Sequence, residues 1–220
     1  VDLGDPLRQV VPYTRMLFGG LFFNQPDRVL MIGLGGGGFH RLFNAAFTNA
    51  LLQTAEIDSM ALKLATAHMG FATTPRNVVT IEDGRRFVRK TRLKWDWVIL
   101  DAFHGGDVPF HLKTREFYRE IGRILATDGV MIANLHGNNE LFYCDVKTIV
   151  ASFAQALFLR APGRGNVIAI AADYRTPSLR EQLRTADRSQ WPAVLGRYID
   201  FDEIAASVAD VQPQGAVRGR

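Results

Sequence analysis

The sequence predicts an α/β domain, a mainly parallel sheet whose last strands form an antiparallel hairpin. Three observations carry this. An apolar run at 29–32 breaks into five glycines within six positions, Gly33 and Gly35 to Gly38. Phe39, Leu42, Phe43, Ala46 and Phe47 follow at i, i+3, i+4 spacing, so the stretch reads as a buried strand, a tight turn and a helix. Apolar runs then alternate with amphipathic segments as far as residue 156, the pattern of βα units on a parallel sheet. Finally, apolar runs at 157–161 and 166–172 flank Pro162-Gly163-Arg164-Gly165 and read as a hairpin with one antiparallel edge strand.

Taken in order, residues 1–27 are a short lead-in, broken by Pro6 and Pro12, with 13–23 apolar enough to pack as a helix. Strands are expected at 29–32, 51–57, 77–81, 95–100 and 130–135. Helices are expected from Phe39, after Asp58 to about 69, at 85–90, at 114–125 and at 141–156. With the hairpin this makes a catalytic unit over 28–175, followed by a polar helical extension over 176–220.

A chain of 220 residues with 47% hydrophobic and 22% charged residues suits one domain with a full core. Its net charge of +4 is scattered. The densest basic patch, Arg85, Arg86, Arg89, Lys90, Arg92 and Lys94, is broken by Phe87, Val88 and Leu93. A solvated face is its plainer reading, and we expect no nucleic-acid partner. A single cysteine, Cys144, excludes an intrachain disulfide. No apolar run approaches the roughly 20 residues of a membrane span, so the expectation is a cytoplasmic protein with no membrane partner. The chain opens on Val1, which leaves a trimmed N-terminus open.

In an open parallel sheet, ligands bind beyond the carboxyl ends of the strands. Here those ends carry the glycine loop, Glu56 with Asp58, Asp83 and Asp101. Singly, each acid has a plainer reading, with Asp58 and Asp83 as helix caps and Asp101 as a loop start. Acids ending three successive strands beside a glycine loop exceed what capping requires. Gly33-x-Gly35-x-x-Gly38 also satisfies the dinucleotide fingerprint, but a pyrophosphate is poorly served by so many neighbouring anions. The histidines show no metal-ligand spacing, and no metal is expected.

YTRML at 13–17, the glycine loop, AEID at 55–58, EDGRRFV at 82–88, WDWVILDAF at 95–103 and HLKTREFY at 111–118 together resemble the spermidine synthase-like aminopropyltransferases. That family has the Rossmann-like class I methyltransferase fold, which implies a seven-stranded sheet. The resemblance covers 13–173. It implies that Glu56 holds ribose, that Asp83, paired with Gly84, holds adenine, and that Asp101 is the catalytic carboxylate. Gly33, Gly35, Gly36, Gly37 and Asp58 complete the expected nucleoside site, and Tyr13 is expected to line the acceptor pocket. The implied donor is decarboxylated S-adenosylmethionine or S-adenosylmethionine itself, and the implied acceptor an amine or polyamine. A homodimer is left open.

Such a transfer needs a neutral amine, and an alkylammonium resembles lysine, with a pKa of about 10.4. Holding it deprotonated at pH 7 costs about 4–5 kcal/mol, so a carboxylate that accepts its proton and aligns it matters. The departures from the family pattern fall on polyamine-facing features and spare the nucleoside-binding ones. Gly36 stands where the family has an aspartate, Thr14 and Arg15 replace the His-Glu of YHEM, and Ala102-Phe103-His104-Gly105 follows Asp101. The family's amino-terminal hairpin domain is expected to be missing or very short. His104 is the candidate second catalytic residue, Asp107 the candidate holder of a cation, and Gly105-Gly106 a hinge for a lid. The expected function is aminopropyl transfer, releasing methylthioadenosine. The alternatives are a class I methyltransferase, an inactive nucleoside-binding homologue and, more distantly, an NAD-dependent oxidoreductase.

Overall fold

The computed structural model describes residues 2–103, 108–163 and 165–211. His104, Asp107 and the Gly105-Gly106 hinge lie outside the described residues. The strands are β1 (Arg28–Ile32), β2 (Leu51–Glu56), β3 (Asn77–Ile81), β4 (Trp95–Leu100), β5 (Leu125–His136), β6 (Gln155–Arg160), β7 (Asn166–Ala172) and β8 (Val208–Ala209). The helices are α1 (Pro12–Met16), α2 (Gly38–Ala46), α3 (Ser59–His68), α4 (Gly84–Lys90), α5 (Arg115–Ile124), α6 (Phe142–Val150), α7 (Leu179–Thr185) and α8 (Phe201–Ala206). A 3-10 helix over Leu17–Phe22 continues α1.

The strand order is β3-β2-β1-β4-β5-β7-β6-β8. β1 to β5 run parallel, and β7 pairs antiparallel with both β5 and β6. The seven-stranded, mainly parallel sheet is therefore present, with two-residue β8 added along β6. The antiparallel strand is not at the edge: β7 inserts between β5 and β6. Its sequence, NVIAIAA, is buried at every position after the first, which suits an interior strand covered on both faces.

Side-chain alternation divides the core into two layers. From β1, Val29 and Met31 face one layer while Leu30 and Ile32 face the other. The first layer takes α1, the 3-10 helix and α2, with Phe18, Phe39, Phe43 and Trp97 at its centre. The second takes α4, α5 and α6, with Phe117, Tyr118, Ile121 and Val146.

Three local expectations differ from the structure. α6 ends at Val150 rather than 156, because Gln155 and Ala156 are drawn into pairing with Ala172 and Ala171 of β7. β5 begins at Leu125, five residues early, and accommodates Asp128-Gly129 in a register shift opposite Trp95 and Trp97. The segment after 176 is helical in α7 and α8 but is not a polar appendage, since Leu179, Leu183, Leu195, Ile199, Phe201 and Ile204 are buried in the first layer. Arg188 there stacks over Phe22 and Trp191 at 5.2 and 5.5 Å from their ring centroids.

The basic patch is largely paired. Arg85 and Arg89 share Glu120 at 2.8 and 3.0 Å, and Arg86 and Lys90 share Glu82. Among the described residues, no helix is long and apolar enough to cross a membrane.

Candidate active site

The sheet order reverses between β1 and β4, and this switch point brings the acidic strand ends together. Each strand continues its pairing one residue beyond its end: Gly33 N donates to Ala55 O, Asp101 N to Ile32 O, and Glu82 N to Glu56 O, at 2.9 to 3.0 Å. The chain cannot cross here with a side chain at position 33. Gly33 has φ +97°, and a Cβ on it would lie 2.4 Å from the Asp101 carbonyl oxygen, inside any van der Waals contact.

Around these ends lies a cavity of about 310 Å³. Tyr13, Gly33, Gly35, Glu56, Asp58, Asp83, Gly84 and Asp101, singled out separately in the sequence, all line it. Gly36 and Gly37 do not. Gly37 caps α2 and packs on Phe71, so its role is to turn the chain into the helix.

Glu56 is 8% exposed. Its Oε2 accepts from Leu34 N and its Oε1 from Asp58 N, both at 2.8 Å. The carboxylate thus pins the glycine loop to the turn after β2, and each oxygen keeps a lone pair for a further donor. Asp58 caps α3 by accepting from Met60 N at 2.8 Å.

Asp83 caps α4, Oδ1 accepting from Arg86 N at 2.9 Å, while Oδ2 lies 2.8 Å from His111 Nε2. Partial burial acts to raise its pKa, but the Arg86 amide and the His111 hydrogen bond and charge outweigh burial, leaving it below the usual carboxylate range.

Asp101 ends β4. Its Oδ2 accepts from the Tyr13 hydroxyl at 3.2 Å and its Oδ1 from Asn134 Nδ2 at 2.9 Å. Asn134 Oδ1 in turn accepts from Asn166 Nδ2 at 3.0 Å, so β4, β5 and β7 are joined by one polar chain. Burial raises the Asp101 pKa, only partly offset by the Asn134 and Tyr13 hydrogen bonds. Tyr13 is pushed upward by its own burial and by the Asp101 charge, which holds its proton in the contact.

Three further residues contribute to the site without having been assigned a role from the sequence. Pro109 and His111, the latter opening the HLKTREFY stretch, line the cavity. Asn134 did leave a signal, as a polar residue inside the buried run Val130 to Leu135. Among the described residues, no group of three His, Cys, Asp or Glu side chains is placed to hold a metal ion.

An acid-lined cleft at the switch point of this sheet defines a Rossmann-like protein of class I methyltransferase architecture. Two solved structures share that fold. Human Methyltransferase-like protein 13 in complex with SAH aligns with a TM-score of 0.74 at 19% identity, covering 94% of this chain and 98% of that one. The spermidine synthase from Thermotoga maritima aligns at 0.70 and 24%, covering 90% and 71%. Residues 11–162 match the spermine/spermidine synthase domain, and the chain belongs to that family of transferases. A polyamine aminopropyltransferase of Vibrio vulnificus is 28% identical over 90% of this chain and 72% of its own length. One of Chromobacterium violaceum is 27% identical over 98% and 83%.

Proposed function

We propose that this protein transfers an aminopropyl group from decarboxylated S-adenosylmethionine to an amine acceptor and releases methylthioadenosine. The observation that carries this reading is the charge of the cavity wall. Glu56, Asp58, Asp83 and Asp101 line it, and among the described residues no lysine or arginine does. A donor bearing a sulfonium and an ammonium suits such a wall. Among the described residues the carboxylate of S-adenosylmethionine meets no lysine or arginine there, and a pyrophosphate fits worse still.

In this reading Glu56 takes the ribose hydroxyls on its remaining lone pairs, and Asp83 accepts from the adenine amino group. The acceptor nitrogen attacks the propyl carbon bonded to sulfur. The C–N bond forms as the C–S bond breaks, the bonding pair goes to sulfur as a neutral thioether, and the new ammonium loses a proton. Asp101 receives or relays that proton. Its raised pKa makes it a better base than an ordinary carboxylate, and Tyr13 and Asn134 hold both oxygens in one orientation. A fixed carboxylate offers the amine one direction of approach.

The test is an incubation of the protein with each sulfonium donor and a panel of amines, with both nucleoside products measured. Methylthioadenosine formed only with the decarboxylated donor and an amine is the expected result. S-adenosylhomocysteine would overturn the reading in favour of methyl transfer, and binding without either product would indicate a non-catalytic homologue.

A further inference from the structure

A second cavity, of about 280 Å³, shares no lining residue with the first. Its walls are Asp5, Arg8, Gln9, Arg15, Arg197 and Tyr198. Three arginines thus meet from three parts of the chain: the lead-in, α1, and the 3-10 turn Leu195–Arg197.

Their charges are poorly compensated. Arg8 reaches Asp2 only at 3.6 Å and both side chains are solvent-accessible, a contact worth little. The Arg15 and Arg197 side chains make no ion pair or hydrogen bond among the described residues, and Arg15 Nε is buried with no partner. The one acid in the wall, Asp5, accepts instead from the Tyr198 hydroxyl at 3.2 Å and Leu7 N at 3.3 Å. Elsewhere this chain pairs its clustered arginines, as Glu120 does for Arg85 and Arg89. A partly enclosed guanidinium without an acceptor is costly, and a planar fork of N–H donors matches an oxyanion. The wall is also braced from behind. Gln9 Nε2 donates to Leu7 O at 2.9 Å and to Gly38 O at 3.0 Å, which fixes the lead-in against the start of α2.

We propose that this cavity binds a small oxyanion, the phosphate or carboxylate group of a metabolite, seated among the guanidinium groups of Arg8, Arg15 and Arg197. The site is separate from the acidic cavity, and its test needs no turnover.

Isothermal titration at low ionic strength with inorganic phosphate, and separately with succinate, distinguishes the two sources of the anion. Saturable binding of at least one is expected, weakened about tenfold or more by Arg15→Gln and by Arg197→Gln. Arg92→Ala, an exposed arginine outside the cavity, should leave the affinity unchanged. Arg197 is exposed, so its variant tests the site even if Arg15→Gln fails to fold. Failure of both anions to saturate overturns the proposal. So does an affinity unchanged in Arg197→Gln, or one reduced equally in Arg92→Ala.

Discussion

The Tyr13 hydroxyl and the Asp101 carboxylate meet at 3.2 Å across 88 positions of sequence. One lies on a five-residue helix of the lead-in and the other at the end of the fourth strand. Both line the acidic cavity, and their contact fixes the carboxylate on which the proposed chemistry turns.

Asp101→Asn should lower turnover by about 10²- to 10⁴-fold, the usual range for losing a general base, with donor affinity largely kept. The same variant should be more stable at pH 7. Asp101 holds its proton more tightly folded than unfolded, so its contribution to stability falls as pH rises above the unfolded value. Thermal midpoints of the two proteins should converge below about pH 4. Near-normal turnover would remove Asp101 from the mechanism.

Tyr13→Phe removes a hydrogen bond that favours the charged carboxylate. The acid limb of kcat/KM should therefore move to higher pH, and turnover at pH 7 should fall about 10- to 100-fold, as for loss of about 1.5–3 kcal/mol. An unmoved limb would mean that the contact does not act on Asp101 during turnover.

Asp83 caps α4 and is proposed to hold the adenine, and substitution separates the two. Asparagine caps a helix as well as aspartate, whereas alanine forfeits about 1 kcal/mol. Asp83→Asn should keep the unfolding midpoint near wild type yet weaken donor binding about tenfold. Asp83→Ala should lose both affinity and stability, and calorimetry alongside urea denaturation reads the two effects.

Gly84→Ala places a Cβ 2.3 Å from Ile32 Cγ2, at the point where α4 crosses β1. Relieving that overlap should cost about 1–3 kcal/mol, measured as a lower urea midpoint, and should weaken the donor because Asp83 moves with the helix. Unchanged stability would show that Ile32 can give way.

His40 on α2 is wholly buried, its Nε2 2.8 Å from Thr54 Oγ1. Burial, with some help from neighbouring Arg41, lowers its pKa to about 3. Below about pH 6.5 the unfolded chain takes up a proton that the folded chain refuses, so stability should fall as pH drops towards 3. The loss should reach on the order of 4 kcal/mol. His40→Gln should flatten that dependence in urea titrations at pH 7 and pH 4.5.

Periodicity and glycine chemistry were enough to place β3 and β4 at their observed bounds, since an apolar run closed by an acid or a glycine has little freedom to be anything else. The segment from 151 to 156 was not legible, because its hydrophobic spacing fits a helix and only pairing with β7 draws Gln155 and Ala156 into a strand. The segment after 176 misled for the same reason. Leu179, Leu183, Phe201 and Ile204 are too widely dispersed among charges to announce a core face, yet the first layer buries all four.

The site divides along the same line. The sequence by itself determined which strand ends carry acids and where the glycines lie, because these are local demands of turns and strand termini. Only the tertiary structure decided that Tyr13 and Asn134 converge on Asp101 with Asn166 behind Asn134, that His111 meets Asp83, and that Gly36 and Gly37 stay off the cavity wall. Those pairings join residues far apart in the chain, and sheet order, which no local pattern encodes, sets the distances between them.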